Sequence, residues 1–386
     1  MGRCILHVGM QKTGSSSIQE TLFFGLRDRS YRYFSAGEIN GSRMLYTLTS
    51  GDSLAEFYWG RSTKGASFAR VWKAYYQRKL RRAMDRARGE GSTLILSGED
   101  MWGQQEEGMV NLRGLLQDYG FETTVMVYIR PWKSFLESNY QQRLKGMTRG
   151  MNALPRIGGI SIRDPNRLSY RGKLEMLDRV FGRDRVIAKK FAPSIFPDGC
   201  VVKDFMSTVG IPMEASKIRR ANESMSMEAS KLLYAYRMFG PVERGWGEFK
   251  VWMHYWMVLS LQEIEGERLK FHSRLVLPIL EEKSQQARWI EERIGASIDE
   301  DMYKDDDREC IGELSDFYRF KESTLQWLAN RVGGRMPSEM EGEEAARQVA
   351  LLMDRLRHQV PSGSKVIGSI GRFSERCWRR WRSGDR

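Results

Sequence analysis

Ile5-Leu6-His7-Val8-Gly9-Met10-Gln11-Lys12-Thr13-Gly14-Ser15-Ser16-Ser17-Ile18 reads as a buried strand, a tight glycine-punctuated turn and the first turn of a helix. Ile5, Leu6 and Val8 supply the strand. Ile18, Leu22 and Leu26 recur at i, i+4 behind the turn, the spacing of one helical face. A helix that starts directly after such a turn presents backbone N–H groups without intrahelical partners, and its dipole favours an anion there. Lys12 adds a cation, and Ser15, Ser16 and Ser17 add hydroxyl donors. The stretch predicts a site for phosphate or sulfate oxygens.

Working outward, strands are predicted near residues 3–8, 93–97, 124–129 and 185–190, with helices between them. Thr124 to Ile129 is a continuous apolar, β-branched-rich run, the pattern of a parallel strand covered on both faces. Strands alternating with helices indicate a parallel α/β sheet, in which ligands sit at the carboxyl ends of the strands. Lys12, Glu99 and Arg130 each follow a strand end, so one crevice is expected to hold all three. Further helices are expected over Tyr170–Phe181, over Cys200–Met206 with a stop near Gly210-Ile211-Pro212, through much of 226–331, and over Glu341–His358. The tryptophan- and methionine-rich section from Trp246 to Leu261 reads as core. The acidic run from Asp299 to Asp307 lacks the glycine and terminal glutamate of a calcium loop and reads as a solvated face.

The order Gly9-x-x-Lys12-Thr13-Gly14-Ser15-Ser16 is not the triphosphate loop G-x-x-x-x-G-K-[ST], in which lysine follows the second glycine and a hydroxyl residue beside it holds magnesium. It resembles the 5′-phosphosulfate loop of sulfotransferases that use 3′-phosphoadenosine-5′-phosphosulfate (PAPS). Arg130-Pro131 at a strand end, with Ser138 eight positions on, resembles that family's site for the 3′-phosphate, where an arginine fork and a hydroxyl meet phosphate oxygens. Residues 3–225 carry the resemblance, which is to soluble, bacterial-type, carbohydrate-acting members. It implies a P-loop-like sulfotransferase fold, with a central parallel β-sheet flanked by helices and a mainly helical C-terminal part. It also implies PAPS as co-substrate without a metal, held by Gln11, Lys12, Thr13, Gly14, Ser15, Ser16, Ser17, Arg130 and Ser138. Arg219 and Asn222, after the fourth predicted strand, would complete the 3′-phosphate pocket.

Sulfonate transfer also needs a base for the acceptor hydroxyl. Carbohydrate-acting members often place a glutamate after the second predicted strand, and Glu99 stands there. Asp100 is the competing carboxylate. The chain has only four histidines; His7, inside the first strand, is the reserve base, with a hydrogen-bonded structural histidine as its other reading.

The chain has 386 residues, a hydrophobic fraction of 41% and a net charge of +13, which calls for anionic partners. Cys4, Cys200, Cys310 and Cys377 show no paired spacing, which argues against a disulfide framework or a zinc site and fits a reducing compartment. The first strand begins by Cys4, leaving no room for a usual signal peptide, and no run is long enough to span a bilayer. A sulfotransferase domain is expected over 1–335, with loop-rich insertions at 36–66 and 145–168 as candidate acceptor elements. An appended helix and a basic tail are expected over 336–386. The tail interleaves Arg372, Arg376, Arg379 and Arg380 with Trp378 and Trp381, which suits an anionic membrane surface or a polyanion.

Together these features predict a cytoplasmic enzyme, peripheral at the membrane through its tail, that sulfates a carbohydrate or glycolipid hydroxyl; nucleic acid is not an expected partner. Two other classes remain in view. A kinase-type phosphotransferase would need ATP and Mg²⁺, and the position of Lys12 counts against it. A non-catalytic polyanion- or membrane-binding protein would use the same basic surfaces without turnover.

Overall fold

The computed structural model describes residues 1–50, 63–146, 168–220, 224–241, 248–301 and 303–360. Strands β1 (Gly2–Val8), β2 (Tyr31–Tyr33), β3 (Thr93–Gly98), β4 (Phe121–Ile129) and β5 (Val186–Lys190) form one sheet in the order β2-β3-β1-β4-β5, every pairing parallel. Strands covered on both faces read as apolar runs without alternation. β1 fits, since Cys4, Ile5, Leu6, His7 and Val8 are all buried. The sheet with its flanking helices is the α/β architecture that the sequence predicts. β2 is not among the strands read from the sequence. Three residues with Arg32 between two tyrosines give neither a run nor a period, and only pairing with β3, Tyr31 opposite Thr93, makes them a strand.

Among the described residues, the α-helices between β1 and β4 are α1 (Ser15–Gly25), α2 (Ser42–Thr49), α3 (Thr63–Gly89) and α4 (Glu106–Asp118). α5 (Trp132–Lys145) and α6 (Tyr170–Phe181) precede β5, and α7 (Val201–Val209) follows it. The remaining α-helices among the described residues are α8 (Met227–Phe239), α9 (Glu248–Ser260), α10 (Ser273–Ile294), α11 (Glu322–Val332) and α12 (Gly342–His358). Ile18 and Leu22 of α1, with Val202, Phe205, Met206 and Val209 of α7, pack on Ile5, Ile95, Met126 and Tyr128 of the sheet. At about 1.5–3 kcal/mol per fully buried large apolar side chain, this layer anchors the turn between β1 and α1. α7 ends on Gly210 in the left-handed region, φ 73°, a conformation open to glycine at little cost.

The insertion at 36–66 is not loop-rich throughout. Ser42–Thr49 is helical with Met44, Leu45 and Leu48 buried, and α3 opens at Thr63. Its glycines and serines obscure one short apolar face; residues 51–62 lie outside the described residues. Most of the second loop-rich stretch, 147–167, also lies outside them.

The chain divides into two compact units. Met1–Trp132, Asp164–Asn222 and Lys283–Asp299 form the first, which holds the sheet; Lys133–Arg163, Glu223–Glu282 and Glu300–Arg386 form the second. The helix expected beyond residue 335 is present as α12 and belongs to the second unit. Within the second unit α12 packs on α8: Arg357 Nη1 donates to Tyr236 Oη at 3.0 Å, and Arg347 lies over the Phe239 ring, 4.5 Å from its centroid. The basic tail lies outside the described residues. Met253 and Met257 of α9 are buried, as the core reading of that stretch expects.

The acidic run is a solvated face only in part: Asp299, Asp301 and Asp307 are exposed. Asp305 is buried and pairs with Lys133 Nζ at 2.9 Å, and Glu300 accepts from Ser134 N at 2.9 Å in the first turn of α5. Glu137 is buried beside them, accepting from Phe271 N at 3.1 Å with Lys270 Nζ at 3.5 Å. Burial, only partly offset by Lys270, the Phe271 N–H and Lys133, pushes the Glu137 carboxyl up to about 7. A raised carboxyl means that the folded state holds the proton more tightly. Its contribution is therefore complete below about pH 4.5 and lost as pH rises through about 7. Glu137→Gln should remove that dependence. The stability of wild type minus that of the variant, from urea unfolding, should fall by about 3 kcal/mol over this window; a flat difference would show that Glu137 does not titrate there.

Candidate functional site

β1 lies between β3 and β4. The chain leaves β1 for β2 and β3 on one side and leaves β4 for β5 on the other, so the carboxyl ends of β1 and β4 flank the reversal where open α/β sheets bind ligands. The loop from Gly9 to Gly14 and the side chain of Arg130 occupy those ends.

The loop is held by short local contacts. Gly9 N donates to Gly98 O at 3.0 Å, which joins the loop to the end of β3. A Cβ at Gly9 would stand 2.8 Å from Glu99 Cα and 2.6 Å from Ser15 Oγ, so glycine alone allows the approach. Thr13, fully buried, donates its hydroxyl to Met10 O at 2.6 Å. That hydroxyl braces the loop, which leaves the backbone N–H of Thr13 as the group it could offer a ligand. Lys12 at φ 66° and Gly14 at φ 76° both take left-handed backbone. For lysine this costs about 1–2 kcal/mol, the kind of strain that clusters at functional sites. Arg130 Nη1 donates to Lys12 O at 2.5 Å and secures the strained residue.

Ser15 opens α1. It is 2% exposed, and its Oγ has no hydrogen-bond partner. A buried hydroxyl left unsatisfied costs about 1–3 kcal/mol, which a bound acceptor at this position would recover. No side chain caps α1 either. A helix N-terminus joined to an unpartnered buried hydroxyl is a donor set for an anion. Gln11, Lys12 and Ser16 are partly exposed along the loop, and Ser17 is buried.

Arg130 is set by aromatic packing. Its Cζ lies 5.3 Å from the centroid of the Phe191 ring, and Phe191 N donates to Ile129 O at 2.7 Å. Phe191 is in turn held edge-on by Phe196 and Tyr128. Tyr128 Oη donates to Asp204 Oδ2 at 2.5 Å, and burial together with that carboxylate pushes the phenol far above its usual range.

Glu99 begins the single-turn helix Glu99–Gly103 directly after β3 and is 7% exposed, beside Gly9. A chain of hydrogen bonds positions this turn. His7 Nδ1 meets Ser97 Oγ at 2.8 Å, and Gln19 Nε2 donates to Ser97 Oγ at 3.1 Å and to Asn40 Oδ1 at 3.2 Å. Asn40 Oδ1 also accepts from Ser42 N at 2.9 Å, and Ser42 Oγ accepts from Asp100 N at 3.0 Å. His7 is fully buried, edge-on to Phe205 of α7 at 5.2 Å, and burial pushes its imidazole down to about 4. It is neutral at physiological pH and sits inside the layer between sheet and α7, which fits the structural reading of His7. Ser97, Gln19 and Asn40 carry no sequence signal of this role, because their partners are brought together only by the fold.

Of the other expected residues, Arg219 and Ser138 are described and Asn222 is not. Arg219 is exposed; its backbone N donates to Thr21 Oγ1 at 2.9 Å and its guanidinium lies over Phe24, 4.6 Å from the ring centroid. Phe24 is about 15 Å along the helix axis from Gly14. Ser138, half-buried on α5, belongs to the second unit, whereas the loop belongs to the first. Asn222 lies outside the described residues. Among the described residues, no group of His, Cys, Asp and Glu is placed to hold a metal, Cys4, Cys200 and Cys310 are free thiols, and no helix is long and apolar enough to cross a membrane. No protein-family model matches the chain, and no curated protein matches it in sequence.

Proposed function

We propose that this chain is a sulfotransferase of P-loop-like fold that moves the sulfonate group of PAPS to a hydroxyl of a carbohydrate or glycolipid. What carries the reading is the buried, unpartnered Ser15 Oγ at the start of α1, next to a loop bent at Lys12 and Gly14 and secured by Arg130. In this reading the loop and the serines hold the 5′-phosphosulfate, and Arg130 holds the 3′-phosphate. The acceptor oxygen attacks sulfur in line, forming one S–O bond as the bond to the bridging phosphate oxygen breaks. The acceptor proton passes to the Glu99 carboxylate and then to solvent. The electron pair leaves on the phosphate oxygen, where the Lys12 ammonium neutralises it, a stabilisation that grows toward the transition state. A sulfate ester and adenosine 3′,5′-bisphosphate result. The saccharide part rests on Glu99 as base and on the basic surface.

Thermal unfolding tests the donor site. Adenosine 3′,5′-bisphosphate at about 100 times its Kd should stabilise the wild type by about 2.7 kcal/mol. Ser15→Ala without ligand should be at least as stable as wild type, because no hydrogen bond is lost. Its affinity for the bisphosphate should fall about tenfold, since hydrogen bonds to charged groups are worth about 1.5–3 kcal/mol. Stabilisation by ATP–Mg²⁺ alone would instead make the chain a phosphotransferase, and a response to neither would remove both readings.

A further inference from the structure

Arg78, Lys79, Arg81, Arg82, Arg86 and Arg88 of α3 are all exposed, and Asp85 is the one acid between them. Among the described residues none of the six forms an ion pair; Lys79 lies over the Tyr75 ring, 5.4 Å from its centroid. Arg78, Arg82 and Arg86 repeat at i, i+4, about 6 Å apart along the axis. That spacing is shorter than the screening length of about 8 Å at physiological salt, so their fields add. Like charges at this spacing weaken a helix. Arg86 and Arg88, in the last turn, gain from the helix dipole, but Arg78 to Arg82 lie too far from the end for that. The opposite face, with Tyr76, Leu80, Ala83, Met84 and Ala87 buried, anchors α3 and leaves the cationic row outward.

We propose that this row is the docking track for a linear acidic polysaccharide, the acceptor chain of the reaction proposed above, on which it therefore rests. Arg78, Arg82 and Arg86 run lengthwise along the helix, the direction a linear chain would take. Its exposed positions between Arg78 and Arg88 include no apolar side chain for a bilayer interface and no aromatic ring for base stacking. Its direction also fits. α3 turns directly into β3, Ser92 N donating to Ala87 O at 2.8 Å, so Arg88 lies toward the amino ends of the strands. At the other end Lys73 Nζ donates to Ser50 O at 3.2 Å, and Ser50 Oγ accepts at 3.1 Å from Gln104, the residue closing the Glu99–Gly103 turn. A carboxylate-bearing chain laid along the row is led toward the turn that carries Glu99.

The test compares the full chain with its Arg78→Gln/Arg82→Gln/Arg86→Gln variant, using labelled polygalacturonate, neutral dextran, a short single-stranded oligonucleotide and vesicles containing anionic lipid. The wild type should bind polygalacturonate at low salt and ignore dextran. The variant should bind it about tenfold more weakly or worse, with a shallower salt dependence and a melting temperature no lower than that of the wild type. Equal affinity in the two proteins, or binding of the oligonucleotide or vesicles as tight as that of the polysaccharide, would overturn the track. Adenosine 3′,5′-bisphosphate should stabilise both proteins equally. Loss of that response in both, with polysaccharide binding intact, would overturn the sulfotransferase reading alone.

Discussion

Glu99→Gln is expected to lower turnover by about 10²- to 10⁴-fold, the range for loss of a general base, while binding of adenosine 3′,5′-bisphosphate stays as in the wild type. The substitution conserves shape, so the turn after β3 and its contact with Gly9 should survive; the Asp100 N–H to Ser42 Oγ bond that steadies the turn involves only its neighbour. What is lost is the negative charge that accepts the acceptor proton. The loss should therefore fall on kcat, with the KM for the donor little changed. Near-full turnover in Glu99→Gln would sink the assignment and make Asp100 the next carboxylate to replace. His7 is a poor successor, being fully buried and held neutral.

Lys12→Ala is expected to cost about 10²- to 10³-fold in kcat, the usual price of removing one preorganised donor from a developing charge. The interpretation is clean for a structural reason. Alanine keeps a Cβ, so the strained φ of 66° is neither relieved nor worsened, and Arg130 holds this residue through its backbone carbonyl. The loop should keep its shape, and thermal stabilisation by the bisphosphate should persist in weakened form. Wild-type kcat in the variant would exclude Lys12 from the transition state. Retained ligand binding with lost turnover would exclude a purely non-catalytic binding protein.

Much of the candidate site was legible because its signals are local. A strand, a glycine turn and a helix face are patterns within eighteen residues, and Arg130 is marked by the apolar run that ends before it. The bracing role of Thr13 was not legible: only the closure of the loop on Met10 O shows it. The support of the site was not legible at all. Phe191 under Arg130, and the chain from His7 through Ser97, Gln19 and Asn40 to Ser42, join residues from distant parts of the sequence.

By itself the sequence determined a parallel α/β sheet, the glycine-punctuated loop between β1 and α1, and the places of Lys12, Glu99 and Arg130 at strand ends. Backbone preference and apolar periodicity are nearest-neighbour properties, and a linear string records them. The tertiary structure decided what depends on water being excluded by atoms far along the chain. Desolvation leaves Ser15 Oγ without a partner, keeps His7 neutral and raises Glu137. Pairing with Lys133 takes Asp305 out of what reads as a solvated acidic run, and pairing with β3 turns three unremarkable residues into β2. Packing on α8 makes α12 part of the second unit. Each of these is a free energy of burial or pairing, set by the three-dimensional surroundings and absent from any short window of the sequence.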